Sequence, residues 1–352
     1  MSTSIEQLRI AAVNQTLFSP ATLMAAIRRL GFVQADPIRA PARAQDLILR
    51  HRVKGYAAGD LERKYPRLGI DEDVLYAYGF LPCENLHLLH PKTGEKLSRF
   101  EQDVLTVVRE HGPLHPNDLR TWFGSERVVN AWGGYSKATK RALERLHHHG
   151  LLRIARRDAG VRVYEVASHV STDALSAGER MRALIRLVAK SLSPVPERTL
   201  SGVAAYVGRH ISHPVSHRTV IRQMIAAGDL VKEHVGGMPY VLLPGRRSSG
   251  EPSGVKLLAP FDPVVWDRRR FEHLWGWTYR FEAYTPVAKR IRGYYALPLL
   301  WRSLVVGWAN VRSGAKDIDV DFGYVTGKPR GREFARELTA ELERFRTFLG
   351  HP

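Results

Sequence analysis

The stretch SKATKRALERLHHHGLLRIARRDAGVRVYEV, Ser136 to Val166, changes its hydrophobic period half-way along. In the first half Ala138, Leu143 and Leu146 are the apolar positions. Ser136 is placed to cap a helix there and Gly150 to stop it. In the second half LLRIARR and VRVYEV alternate apolar and polar residues, which predicts two strands turning at Asp158-Ala159-Gly160. Upstream, FEQDVLTVVREHG carries Val104, Leu105, Val107 and Val108 on a helical face that ends at Gly112, and HPNDLRTWFG predicts a short second helix starting near Pro116 or Asn117. Three helices and then a hairpin is the winged-helix plan, a helix-turn-helix variant used mainly on DNA.

The same order returns about 80 residues later. GERMRALIRLVAKSL, TLSGVAAYVGRH and HRTVIRQMIAAGD read as helices, and LVKEHVGGMPYVLL as a hairpin turning at Gly236-Gly237. The N-terminus fits a third, degraded copy. Ile5 to Leu17 is helical, SPATLMAAIRRLG is a helix capped at Ser19, and a strand should follow near Val33. After a Gly/Ser/Pro/Arg linker, Gly245 to Gly254, the composition turns aromatic and β-branched, with strands over Gly293–Leu300 and Leu304–Arg312. The closing helix carries Phe334, Leu338, Leu342, Phe345 and Leu349 as a packing stripe. The expected class is α+β: winged-helix units over residues 1–98, 99–170 and 171–244, then a β-rich module over 255–352 ending in a helix.

Lys and Arg number 53 against 35 acidic residues, a formal charge of +18. Such a field favours a polyanionic partner. No apolar run approaches the roughly 20 residues a bilayer needs, so a membrane partner is not expected. MSTSIEQLRI has Glu6 where a leader would be basic, and Cys83 is the single cysteine. A cytoplasmic protein, nucleoid-associated if it binds DNA, is the expectation. Winged helices also serve as protein-interaction modules, but repetition at this charge favours nucleic acid. Lys137, Lys140, Arg141 and Arg145 share one candidate recognition helix; Arg209, His210, His213, His217, Arg218 and Arg222 accompany the next. These are phosphate-type contacts that position rather than specify, and the alternative is a solvated face.

Two stretches raise chemistry. In GFVQADPIRAPARAQD, Gly31 to Asp46, Pro37 drives Asp36 toward extended geometry. Gln34 and Asp36 then project to one side, with Arg39 and Arg43 following. A carboxylate beside an amide can hold and activate a water; the alternative makes Asp36 an N-cap and Gln34 a surface residue. In LAPFDPVVWDRRR either Asp262 caps a turn within an Asp–Arg network, or Arg268, Arg269 and Arg270 reach phosphates over a buried Trp266.

LGFVQADPIRAPARAQDLILRHR, LAPFDPVVWDRRR and AKRIRGYYALPLL, in this order, closely resemble the bacterial tandem winged-helix alkylpurine DNA glycosylases, the AlkZ/YcaQ-like family, from about Leu8 to about Arg346. The resemblance implies a monofunctional glycosylase with no cofactor and no metal, acting as a monomer on double-stranded DNA with alkylated or crosslinked purines. Gln34 and Asp36 match the family's Gln-apolar-Asp form of the catalytic pair, with Ala35 smaller than the usual middle residue. Asp36 is then the base and Gln34 the holder of water. A family hairpin that contacts the minor groove corresponds to Trp301, Arg302 and Ser303, or to the wing near Gly236. The relatives' aromatic–Trp–Ala–His segment falls on VLYAYGFLPCENLHLLHP, where Tyr76, Tyr78 and Phe80 keep the aromatic character and His87 or His90 stands for the histidine. A non-catalytic winged-helix regulator or resistance factor is the other reading.

Overall fold

The computed structural model describes residues 3–90, 96–125, 127–129, 135–167, 175–211, 215–245, 250–314 and 317–351. The chain opens with α1 (Ile5–Thr16) and α2 (Leu23–Leu30), then β1 (Val33–Gln34), α3 (Ala44–Leu49), α4 (Asp60–Lys64), β2 (Ile70–Val74), β3 (Tyr78–Pro82) and α5 (Leu86–Leu89). Next come α6 (Arg99–His111), α7 (Arg120–Phe123), a short ribbon of β4 (Arg127–Val129) and β5 (Tyr135–Lys137), α8 (Ala138–His148), β6 (Leu152–Asp158) and β7 (Val161–Val166). Then follow α9 (Ala177–Leu192), β8 (Val195–Pro196), α10 (Glu197–Val207), α11 (His217–Ala226), β9 (Val231–Val235) and β10 (Met238–Leu242). The C-terminal part is β11 (Val255–Leu257), α12 (Pro263–Trp266), α13 (Arg268–Trp275), β12 (Leu297–Trp301), β13 (Leu304–Ser313), β14 (Ile318–Tyr324) and α14 (Arg332–Leu349).

The fold is α+β and winged-helix-like, and its repeat contains a short strand or bridge after each first helix, expected from the sequence near Val33 but not in the other two units. β1 pairs antiparallel with β3 in the order β1-β3-β2, and β8 pairs with β10 in the order β8-β10-β9. In the middle unit the same place is a single bridge, Leu114 with Tyr164 of β7. A two-residue strand carries no readable period, because alternation needs four or more residues to show.

The N-terminal copy differs from expectation. Its first helix is α2, because α1 leaves the unit. Leu8 and Ala12 of α1 bury against Val235, Tyr240 and Leu242 of the third wing and Leu274 of α13. The cap of α2 is Thr22, whose Oγ1 accepts from Ala25 N at 3.3 Å, so Ser19 lies outside the helix. In the middle unit α8 starts one residue beyond Lys137 without a side-chain cap, displacing the role given to Ser136. The short helix begins only at Arg120, since Asp118 first closes a turn by accepting from His115 N.

Charged pairs bolt the units together. Arg153 and Arg157 on β6 reach back to Asp71 (2.8 Å) and Glu72 (2.8 Å) on β2. His147 Nε2 lies 2.9 Å from the Glu72 carbonyl. On the other side Phe32, Leu75 and Leu81 pack with Leu184, Ile185 and Val188 of α9. The C-terminal sheet runs β11-β12-β13-β14, with Phe334, Leu338 and Phe345 of α14 buried among Val255, Leu257 and Leu297. Arg52 beyond α3 meets Asp262 at 2.8 and 3.0 Å, both side chains fully buried.

Candidate active site

β1 ends abruptly for reasons visible in its neighbours. Val33 pairs with Phe80 and Gln34 with Gly79, Ala35 N donates to Tyr78 O at 2.9 Å, and Pro37 then stops the ladder. Only glycine fits at position 79, because a Cβ there would sit 2.3 Å from Val33 O and 2.5 Å from the Phe32 ring. Val33 and Ala35 turn to the core, while Gln34 and Asp36 stay half-buried, the alternation an extended segment requires.

Asp36 does not cap a helix. Its Oδ1 accepts from Ile38 N at 2.9 Å, closing a tight local turn, and its own N–H points to Oε1 of buried Gln45 at 3.3 Å. Partial burial pushes the carboxyl above its ordinary value, with the Ile38 N–H pulling part of the way back. Tyr295 stands close enough to feel that charge. Burial first, then the Asp36 carboxylate, push its phenol upward.

Gln34 is held from the far end of the chain. The Trp266 indole Nε1 donates to Gln34 Oε1 at 2.8 Å. Trp266 in turn packs edge-on to Tyr76 (centroids 4.9 Å), which packs edge-on to Phe32 and shares a 2.9 Å hydrogen bond with Ser191 Oγ. The LAPFDPVVWDRRR segment builds this support. Asp262 caps α12 through Val264 N, and Asp267 caps α13 through Arg269 N and Arg270 N.

That segment therefore follows the structural alternative for two of its arginines. Arg270 is fully buried and donates to the carbonyls of Leu192, Pro194, Pro263 and Val264. Arg268 donates to Val265 O and Pro260 O and lies over the Tyr279 ring. Both guanidiniums spend N–H groups on backbone carbonyls; Arg270 is presented to no phosphate, while Arg268 stays at the edge of the cleft beside Trp266. Arg269 is exposed. With Arg198, Thr199 and Trp266 it lines a shallow cleft of about 300 Å³.

The other cations divide similarly. Arg39, Lys140, Arg141, Arg209 and Arg218 are exposed. Arg43 is ion-paired to Glu62, with only 15% of its side chain accessible, and Lys137 donates to Asn117 at 3.1 Å. His213 lies outside the described residues. The hairpin at Arg302 is docked on α14. Arg302 holds both oxygens of Glu333 at 2.8 Å, and Trp301 donates to Glu337 at 2.9 Å. Of the aromatic segment, Tyr76 serves the site through Trp266. Tyr78 donates to Glu72 at 2.6 Å, Phe80 is core, and His90 is buried against Asp73.

The sequence pattern of the family described as DNA glycosylase AlkZ-like matches residues 27–348, which spans both the Gln34–Asp36 strand and the Trp266 segment. The chain belongs to the AlkZ-like DNA glycosylase family. It is thus a DNA glycosylase and its substrate is DNA. In fold it is similar to the Streptomyces sahachiroi DNA glycosylase AlkZ, with a TM-score of 0.67 and 14% identity over 100% of this chain and 98% of that one. Among the described residues of this AlkZ-like glycosylase, no helix is long and apolar enough to cross a membrane. The Trp266–Gln34 contact joins positions 232 apart and is invisible to local spacing. Its one trace in the sequence is that Gln34 lies in the Asp-Pro segment VQADP and Trp266 three residues beyond the Asp-Pro segment APFDP.

Proposed function

We propose that this glycosylase hydrolyses the N-glycosidic bond of purines alkylated at N7 in double-stranded DNA, with Gln34 and Asp36 activating the water. The observation that carries the reading is the 2.8 Å hydrogen bond from Trp266 Nε1 to Gln34 Oε1. An indole N–H only donates, so the amide turns its oxygen to Trp266 and its NH2 elsewhere. An NH2 group donates to one lone pair of a water, and the Asp36 carboxylate accepts its proton. The second lone pair is left to attack C1′. Alkylation at N7 makes the purine cationic. As the C1′–N9 bond breaks, its electron pair neutralises the ring, the water oxygen bonds to C1′, and the proton passes to Asp36. The carboxylate also stabilises the developing oxocarbenium charge from a partly desolvated position.

The products are a free alkylpurine and an abasic site. The mechanism assigns no step to an amine nucleophile, so the strand is not cut by a lyase step. The same cleavage at an N7-linked crosslink frees one strand, and the shallow cleft beside Trp266 suits a base still tethered to its partner. Gln34, Asp36 and Trp266 come from one chain, which fits action as a monomer. Chromosomal DNA as substrate places the work at the nucleoid.

The test is a duplex carrying one 7-methylguanine, read as alkali-labile sites. Wild type accumulates them. Asp36→Asn binds the duplex within about twofold of wild type yet releases base at least ~100-fold more slowly, the usual span of a lost general base. Tight binding by wild type with no abasic product would leave a non-catalytic DNA-binding protein and overturn the proposal.

A further inference from the structure

Tyr295, just ahead of β12, holds a polar group that the fold leaves unused. It is 3% exposed, packed edge-on to Phe281 with ring centroids 5.3 Å apart. Its Oη is shut off from solvent and meets no hydrogen-bond partner among the described residues. A buried donor in that state is destabilising, so its presence calls for a reason. Other buried phenols have partners: Tyr56 donates to the Asp46 carboxylate at 2.7 Å and Tyr279 to the Ala296 carbonyl at 2.7 Å. Nor is Tyr295 free to drift to a partner of its own. Two residues earlier Gly293 N donates to Glu282 Oε2 at 3.2 Å, and a Cβ on Gly293 would strike the Asn310 side chain at 2.2 Å. Two residues later Leu297 pairs with Ala309 in the sheet.

What the phenol faces is the end of β1. Tyr295 lies in one buried cluster with Val33, and Ala35 and Ile38, which bracket Asp36, pack against that cluster. Of the ionisable groups that act on Tyr295, Asp36 acts most strongly, ahead of the phenols of Tyr279 and Tyr294. Tyr279 already donates elsewhere, and Tyr294 is exposed, with the Arg290 guanidinium 5.1 Å from its ring centroid. The acceptor left is the Asp36 carboxylate. Its Oδ1 takes the Ile38 N–H, and no donor among the described residues holds Oδ2. Catalytic hydrogen bonds often close only once substrate is bound. We propose that Tyr295 is a positioning residue for this glycosylase: with the lesion bound, its O–H donates to Asp36 Oδ2 and holds the carboxylate toward the attacking water. This rests on the proposed role of Asp36 as the base. An oxygen with two lone pairs takes the phenol proton on one and the water's proton on the other. Burial keeps the phenol protonated, so it only donates and Asp36 remains the base. A donor to the ionised carboxylate also favours that form, which sets the acid limb of base release lower than burial alone would place it.

The test is Tyr295→Phe, which removes one oxygen, in single-turnover release of 7-methylguanine from duplex across a range of pH. The variant should unfold in denaturant at or above the wild-type midpoint, because the hydroxyl it loses is buried and unpartnered. It should release base roughly tenfold more slowly near neutrality, with its acid limb displaced upward by about one pH unit. On an Asp36→Ala background the same substitution should change the rate by less than about twofold, since the partner is already gone. A wild-type rate and limb in Tyr295→Phe overturn the proposal. A slower rate with an unmoved limb also overturns it, by putting the hydroxyl on DNA instead of Asp36. A midpoint lowered in step with the rate does the same, by making the phenol structural. If wild type releases no 7-methylguanine, or Asp36→Ala releases it as fast as wild type, the underlying reading fails, and both results are seen without the Tyr295 variant.

Discussion

Trp266→Phe isolates the hydrogen bond on which the Gln34 assignment turns. Phenylalanine keeps an aromatic ring beside Tyr76, now at 4.9 Å, and removes the indole donor 2.8 Å from Gln34 Oε1 together with some ring volume. A neutral hydrogen bond contributes about 0.5–1.5 kcal/mol, and a stranded acceptor costs about 1–3 kcal/mol. Gln34 is half-buried, so water reaches part of the stranded oxygen and the lower part of that range applies. A loss of about 1–2 kcal/mol of transition-state stabilisation corresponds to roughly 5–30-fold in rate. The assay is single-turnover release of 7-methylguanine with enzyme in excess, so that binding and product release drop out. Binding of undamaged duplex should stay within about twofold, because the lost group faces Gln34 and not a phosphate. An unchanged single-turnover rate in a folded Trp266→Phe protein would refute the claim that the indole sets the amide for catalysis. A loss as large as that of Asp36→Asn would refute it differently, by showing that Trp266 does more than orient.

Three further outcomes follow from the geometry. Asp262→Ala strands the fully buried Arg52 guanidinium and should cost about 3–5 kcal/mol in denaturant melts; Arg52→Met with Asp262→Leu should recover most of it. Burial raises the Asp36 carboxyl, so the base form is lost as pH falls through that raised value. Base release should be flat near neutrality and fall along an acid limb that starts higher than for an exposed aspartate. Over the same range His51 and His147, buried with pKa values below the ordinary 6.5, withdraw stability as pH falls below 6.5 toward their lowered values. Circular dichroism at each pH must therefore show the fold intact before the limb is assigned to Asp36. Duplex affinity should fall with salt at a log–log slope of about −5, if the six exposed cations Arg39, Lys140, Arg141, Arg209, Arg218 and Arg269 each displace about one counterion; a flat response would remove phosphate contact from the binding model.

Much of this architecture could be read from hydrophobic period alone, because its helices and wings are long enough to show one. The hairpins of the middle and third units turn at Ala159-Gly160 and Gly236-Gly237, where Gly160, Gly236 and Gly237 take the positive φ angles glycine favours, and Phe334, Leu338 and Phe345 of the α14 stripe bury, joined by Phe348 while Leu342 and Leu349 stay partly exposed. What escaped reading is short or distant. β8 has two residues and its counterpart in the middle unit is a single bridge at Leu114, and α1 looks like the first helix of its unit until Leu8 and Ala12 find partners more than 200 positions away. The arginines of Arg268–Arg270 were ambiguous for a different reason. A guanidinium satisfied by carbonyls and one waiting for phosphate have the same letter, and only burial separates Arg270 from Arg269.

The three first strands explain why a repeated scaffold carries chemistry at one place. In the third unit the strand is Val195–Pro196, and the carbonyls leading into it, of Leu192 and Pro194, are occupied by buried Arg270. In the middle unit the equivalent residue, Leu114, is itself buried, and its bridge to Tyr164 closes against the hairpin. Only β1 presents polar side chains on its open face. Its partner strand is pared to Gly79 where Gln34 lies opposite, and Pro37 frees the chain just after Asp36. The segment that plugs the third strand with Arg270 also presents Trp266, four residues earlier, to Gln34. One C-terminal segment therefore closes one strand end and arms another. Substitutions at Arg270 should then disturb the site indirectly, by releasing α12 and α13. They should lower stability together with activity, whereas Trp266→Phe should lower activity alone.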